Sequence, residues 1–182
     1  MNLRFLGAGL VVLACSDPVT SAELDALPPE NPNVPIGQYH RAGQPCVVCH
    51  NPSGPASADD FSLGGTVFAQ AATLVGVNNA TVAFTDTTGS QFTTTTNCVG
   101  NFFVRKSDWD PSFPIFARVF NSTDEVTMQG QIGRERSCAN CHSDPDPSSP
   151  EYFSQVGHIF LYGAGETPPP PASDCPVSPV LQ

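Results

Sequence analysis

The sequence predicts a mainly β protein: a two-sheet sandwich flanked on each side by a loop-rich segment that carries cysteines. Three observations support this. Across residues 61–136, β-branched and aromatic residues alternate with polar ones over short runs, the two-residue period of half-buried strands. Turn chemistry separates the runs at Gly76-Val77-Asn78-Asn79, Asp86-Thr87-Thr88-Gly89 and Asn97-Cys98-Val99-Gly100. Of the 19 Pro, only Pro111 and Pro114 fall in this stretch, whereas both flanks are rich in Pro and Gly. Six or seven short strands at this spacing suit a sandwich, and 182 residues suit one domain with appended segments.

In chain order, residues 1–4 supply a short positive region and residues 5–14 an apolar one. The apolar run is too short to span a bilayer as a helix, so 1–14 reads as an export signal. Val12-Leu13-Ala14-Cys15 resembles a bacterial lipobox, with Val where Leu is commonest and Leu where a small residue is commonest. The resemblance implies cleavage before Cys15 and lipidation of that residue as a membrane anchor. Ser16 after it implies the outer membrane. The alternative is a Cys inside a signal peptide cut farther on. Residues 15–36 contain Pro18, Pro28, Pro29, Pro32 and Pro35 and read as an extended tether, with at most a helical turn at 21–27.

Residues 37–60 hold Cys46-Val47-Val48-Cys49-His50, and residues 137–165 hold a second copy, Cys138-Ala139-Asn140-Cys141-His142. Both read C-x-x-C-H, the signature of c-type haem attachment. Two thiols at this spacing reach the two vinyl groups of one haem and form thioethers. The His that follows is then held under the iron as an axial ligand. The motifs resemble those of multihaem c-type cytochromes, and the likeness covers the motifs rather than the domain between them. It implies two covalently attached haem c groups on Cys46, Cys49, Cys138 and Cys141, with His50 and His142 as proximal ligands. Four Cys on one zinc is the competing reading. A thioredoxin-like pair lacks its βαβ context.

Strands are predicted at 65–69, 81–85, 91–96, 101–105, 115–121 and 125–128, with a last one at 157–162. Gly65-x-Val67, Ala80-Thr81-Val82, Thr85-Asp86-x-x-Gly89 and Gly100-Asn101-Phe102 together resemble the carboxypeptidase regulatory-like sandwich. The resemblance spans about 45 residues and implies an Ig-like fold rather than catalysis. Residues 166–182 form a Pro-rich tail. Seven Cys less one lipid site and four thioethers leaves Cys98 and Cys175, a candidate disulfide in an oxidising compartment.

Net charge is −10, which disfavours nucleic acid as a partner and suits redox proteins with basic patches. Segments 17–60 and 137–182 each carry −5, so the acidity lies around the motifs. Two six-coordinate haems need four axial ligands, and the chain has four His. His40 lies too close to Cys46 for an easy fold-back, so it is expected on the iron held by His142. His158, or failing that Met128, then completes the haem on His50. No nucleophile elbow, zinc-protease motif or phosphate loop is present. The sequence therefore points to a lipid-anchored dihaem electron carrier of the cell envelope. The alternatives are a surface-binding sandwich lipoprotein with a structural zinc and a small haem peroxidase or sensor.

Overall fold

The computed structural model describes residues 18–144 and 156–181. The signal sequence, Cys15, Ser16 and the acidic loop after Asp144 lie outside the described residues. Within them the chain is mainly β, with two sheets and few helices, consistent with a β-sandwich. One sheet contains β4 (Asn101–Arg105), β1 (Phe61–Phe68) and β7 (Ile159–Phe160), in that order. The other runs β3 (Gln91–Thr95), β2 (Thr81–Asp86), β5 (Ile115–Phe120) and β6 (Glu125–Thr127).

The alternation read from sequence sets which side chains meet. Val82 and Phe84 of β2, with Ile115 and Val119 of β5, are buried against Leu63 and Val67 of β1 and Phe102 and Val104 of β4. Phe116 and Arg118 take the opposite, exposed face of β5, and the Arg118 guanidinium lies over the Phe120 ring. Trp109 stacks on both Phe84 and Phe92 and closes one end of this core.

β1 departs from alternation, because all eight of its residues are buried. Its inner face meets the core. Its outer face is covered by the first motif segment and the tail, through contacts that include Gly64 with Cys46 and Gly43 with Phe68 and Leu181. Such a strand cannot read as inside–outside in sequence, since neither face meets water.

The edge of β1 away from β4 is shared by two pieces of chain. Gly64 pairs with Ser137, and farther along Val67 and Phe68 pair with Ile159 and Phe160, both in parallel sense. The second motif thus leaves and rejoins one edge position of this sheet. Turn formation places it there: a 3₁₀ turn, Cys138–Asn140, begins directly after the first pairing.

The Pro-rich tail is fastened at several points. Cys175 forms a disulfide with Cys98, 77 residues away. Closing a loop of that length is worth on the order of 4 kcal/mol in the chain-entropy model. Gly76 N–H donates to Pro179 O at 2.7 Å and Leu181 N–H to Leu74 O at 2.9 Å. Residues Pro18–Ala26 form a nine-residue helix, α1, none of whose residues is buried, where the sequence suggested an extended segment with at most a helical turn at 21–27. Among the described residues, no helix is long and apolar enough to cross a membrane.

Candidate functional site

The first motif folds as the one-turn helix α2 (Cys46–Cys49), in which Val47 and Val48 are buried. The turn brings Cys46 and Cys49 to one side, as a three-residue step on a helix does. A helix start leaves backbone N–H groups without partners. Here the Val47 N–H donates to Ser137 Oγ at 2.9 Å. Ser137 immediately precedes the second motif and is 1% exposed. Although it stands at the N-cap of its own turn, it makes no cap bond there. One motif thus caps the other.

The first thiol of each motif packs on β1 at adjacent residues. A Cβ on Gly64 would lie 2.9 Å from Cys46 Cβ and 3.1 Å from its Sγ. A Cβ on Gly65 would lie 2.8 Å from Cys138 Cβ and 3.0 Å from its Sγ. Successive strand residues face opposite ways, so the two cysteines approach β1 from its two sides. Gly-Gly inside a strand is the signal of close approach that sequence offered. Arg136 adds a fastening: its guanidinium donates to Phe61 O at 3.1 Å and lies 3.7 Å from Asp60 Oδ1.

None of the four motif cysteines is in a disulfide, and all four are half-buried. Burial pushes the Cys46 thiol up to about 11 and the Cys138 thiol up to about 12. Burial also raises Cys49, while Arg41 nearby opposes the shift. Unmodified, the Cys46 and Cys138 thiols are therefore protonated and weakly reactive at neutral pH. Among the described residues, no group of three or more His, Cys, Asp or Glu converges in a way that could hold a metal ion.

The motif histidines are oriented by backbone carbonyls. His50 Nδ1 is 2.9 Å from Asp59 O, and His142 Nδ1 is 3.1 Å from Gly157 O. A carbonyl only accepts, so Nδ1 carries the proton and Nε2 keeps its lone pair. This is the usual outer support of a metal-ligating imidazole. His50 also stacks on Phe61, with centroids 4.0 Å apart, and Phe61 stacks in turn on Phe103. His142 titrates below the ordinary range, mainly through burial; the Gly157 carbonyl opposes the shift and His158 adds to it.

His40 lies beside His50, with centroids 6.1 Å apart and planes inclined by 24°. His40 Nδ1 is engaged by the Gly37 backbone. This neighbour differs from the expected partner, His142. Arg41 and Gly43 both have positive φ, 53° and 79°. They give the loop before Cys46 the tight reversal that sequence alone made look costly.

His158 is buried near His142, 3.5 Å from Asp144 Oδ1, with its ring against Phe68 and Phe160. Met128 follows β6 on the other sheet, where its N–H donates to Ala117 O. Cys98 and Cys175 are joined, and their small cluster includes Tyr39 and Ala42 from the His40 loop. Sequence reasoning did not single out Ser137, Gly64, Phe61 or Thr66, and it named Asn101 only as part of the sandwich turn. No protein family matches the chain, nor does any curated protein or solved structure.

Proposed function

We propose that this chain is a dihaem c-type cytochrome that transfers single electrons at the cell envelope. Its two haems are held on a sandwich of the carboxypeptidase regulatory-like, Ig-like kind. The single observation that carries the reading is the pair of Nδ1–carbonyl contacts, His50 to Asp59 O and His142 to Gly157 O. Each leaves Nε2 bare in a histidine that directly follows a C-x-x-C pair. The residues present fit the group. Cys46 and Cys49 with His50 would hold one haem, and Cys138 and Cys141 with His142 the other. Each haem supplies an iron that cycles by one electron. His40 is the favoured second ligand of the first haem on the 6.1 Å separation, and His158 that of the second on its nearness to His142. Met128, on the opposite sheet, is not favoured.

The chain's own residues orient and shield. The carbonyls of Asp59 and Gly157 fix the imidazole rings, and Phe61 covers one face of His50. β1 ties both attachment points to one rigid element, which would keep the two groups in constant relation. Export and lipidation at Cys15 belong to the same proposal, as do an outer-membrane location and basic redox partners attracted by the −5 flanks. The test is a pyridine haemochrome assay after co-expression with the cytochrome c maturation machinery. The wild type should give two haems per chain, and Cys49→Ala and Cys141→Ala should each give one normally attached haem. A protein with no haemochrome signal overturns the proposal.

A further inference from the structure

The loop that carries His40 is held to the sandwich by side chains that take no part in haem attachment. Asn101 Nδ2 donates to His40 O at 3.0 Å and to Gln38 O at 3.3 Å. Asn101 Oδ1 accepts from Thr66 Oγ1 at 2.7 Å, and Thr66 Oγ1 accepts the Gly43 N–H at 2.8 Å. Two sandwich residues therefore grip the loop on both sides of its positive-φ reversal at Arg41 and Gly43. Asn97 adds a third hold, donating from Nδ2 to Gln38 O at 2.6 Å. On its other side the loop is backed by the disulfide cluster, in which Ala42 is 1% exposed.

The chemistry of Asn101 is specific. An amide has two donors and an acceptor in one fork. Here both donors meet loop carbonyls while the acceptor is tied to β1. Asn101 is 9% exposed, so its own amide has little water to replace these partners. Aspartate has the same shape, but its oxygens would face the carbonyls of Gln38 and His40 and repel them.

We propose that Asn101, backed by Thr66 and the Cys98–Cys175 clamp, is the positioning residue that delivers His40 to the iron of the first haem. The coordination of that haem is then set by the sandwich and not by the loop alone. This rests on the dihaem reading above. It adds a role for the Gly100-Asn101-Phe102 turn that neither haem attachment nor the fold demands.

The test uses the full-length, haem-loaded protein and reads spin state by absorption and electron paramagnetic resonance. Asn101→Asp should keep two haems by haemochrome assay but lose one of its two low-spin signals to a high-spin one. His40→Ala should give the same spectrum. Added imidazole should restore the lost low-spin signal in both variants, a rescue that general destabilisation would not give. If Asn101→Asp is not recovered folded, Thr66→Val and the double variant Cys98→Ser/Cys175→Ser carry the same test. Two haems that both stay low-spin in the folded variants, while His40→Ala turns one high-spin, would overturn the role of Asn101. Two haems unaffected even by His40→Ala would overturn the role of His40 and the inference with it. A wild type without haem would instead sink the dihaem reading.

Discussion

Single atoms decide the packing at the centre of this protein. Gly65 leaves room for Cys138 and Phe102, whose side chains would stand 2.8 and 2.9 Å from an added Cβ. Gly65→Ala should therefore destabilise the fold by about 1–3 kcal/mol through overpacking. Gly130, with nothing within 4 Å of an added Cβ, is the control, and Gly130→Ala should be near neutral. Urea unfolding midpoints separate them; equal midpoints would show that the strand tolerates the methyl. Ser137→Ala removes the acceptor of the Val47 N–H from a site that is 1% exposed. Leaving that donor unmet should cost about 1–3 kcal/mol. Since Ser137 directly precedes one motif and Val47 lies in the other, haem attachment at Cys46 and Cys49 should also fall in this variant. Full attachment, quantified by peptide mapping, would show that the cap does not organise the first motif.

Among the elements, the β2–β3 hairpin owes its turn to one carboxylate. Asp86 Oδ1 accepts from Thr88 N–H at 2.8 Å, from Ser90 N–H at 3.0 Å and from the Thr88 hydroxyl, while Oδ2 accepts from Ser112 N–H at 3.0 Å. The Thr88 hydroxyl is the largest cause of a pKa held below the ordinary carboxylate value, followed by the Ser112 N–H. A depressed folded pKa means that the stabilisation is complete above the unfolded pKa, near 3.8. It is lost as pH falls through the lower, folded value. Asp86→Asn turns a donor toward the Ser112 N–H, so it should unfold at lower temperature than wild type at pH 7. The gap should narrow as pH falls below 3.8 and through the lower folded value, where Asp86 itself becomes protonated. A gap independent of pH would show that the charge contributes nothing. Thr85-Asp86-x-x-Gly89 was legible in sequence because turn chemistry is local. For the same reason β2 and β4 begin where alternation places them, at Thr81 and Asn101. The start of β1 was not legible. Its Gly64-Gly65 pair reads as punctuation, and burial on both faces removes the alternation that would have extended the strand back to Phe61.

For the whole molecule, long-range contacts join parts that a sequence can only list. The two C-x-x-C-H motifs, 92 residues apart by numbering from Cys46 to Cys138, are legible because their chemistry is contained in five residues each. Their meeting on β1 was not, since it depends on where Ser137 pairs and how the loop before Cys46 turns. The same geometry sets His40 beside His50, a neighbour that loop length alone did not point to. The disulfide pair was reachable by counting cysteines, but its place beside the His40 loop required the fold.

The measurement that tests the dihaem reading most directly is the intact mass of the purified, mature protein after exported expression with haem maturation. The result predicted is a polypeptide heavier by two haems that survive denaturation and acid-solvent extraction, with lipid on Cys15 and no free thiol at Cys98 or Cys175. A mass equal to the unmodified polypeptide, with Cys46, Cys49, Cys138 and Cys141 open to alkylation, would contradict it.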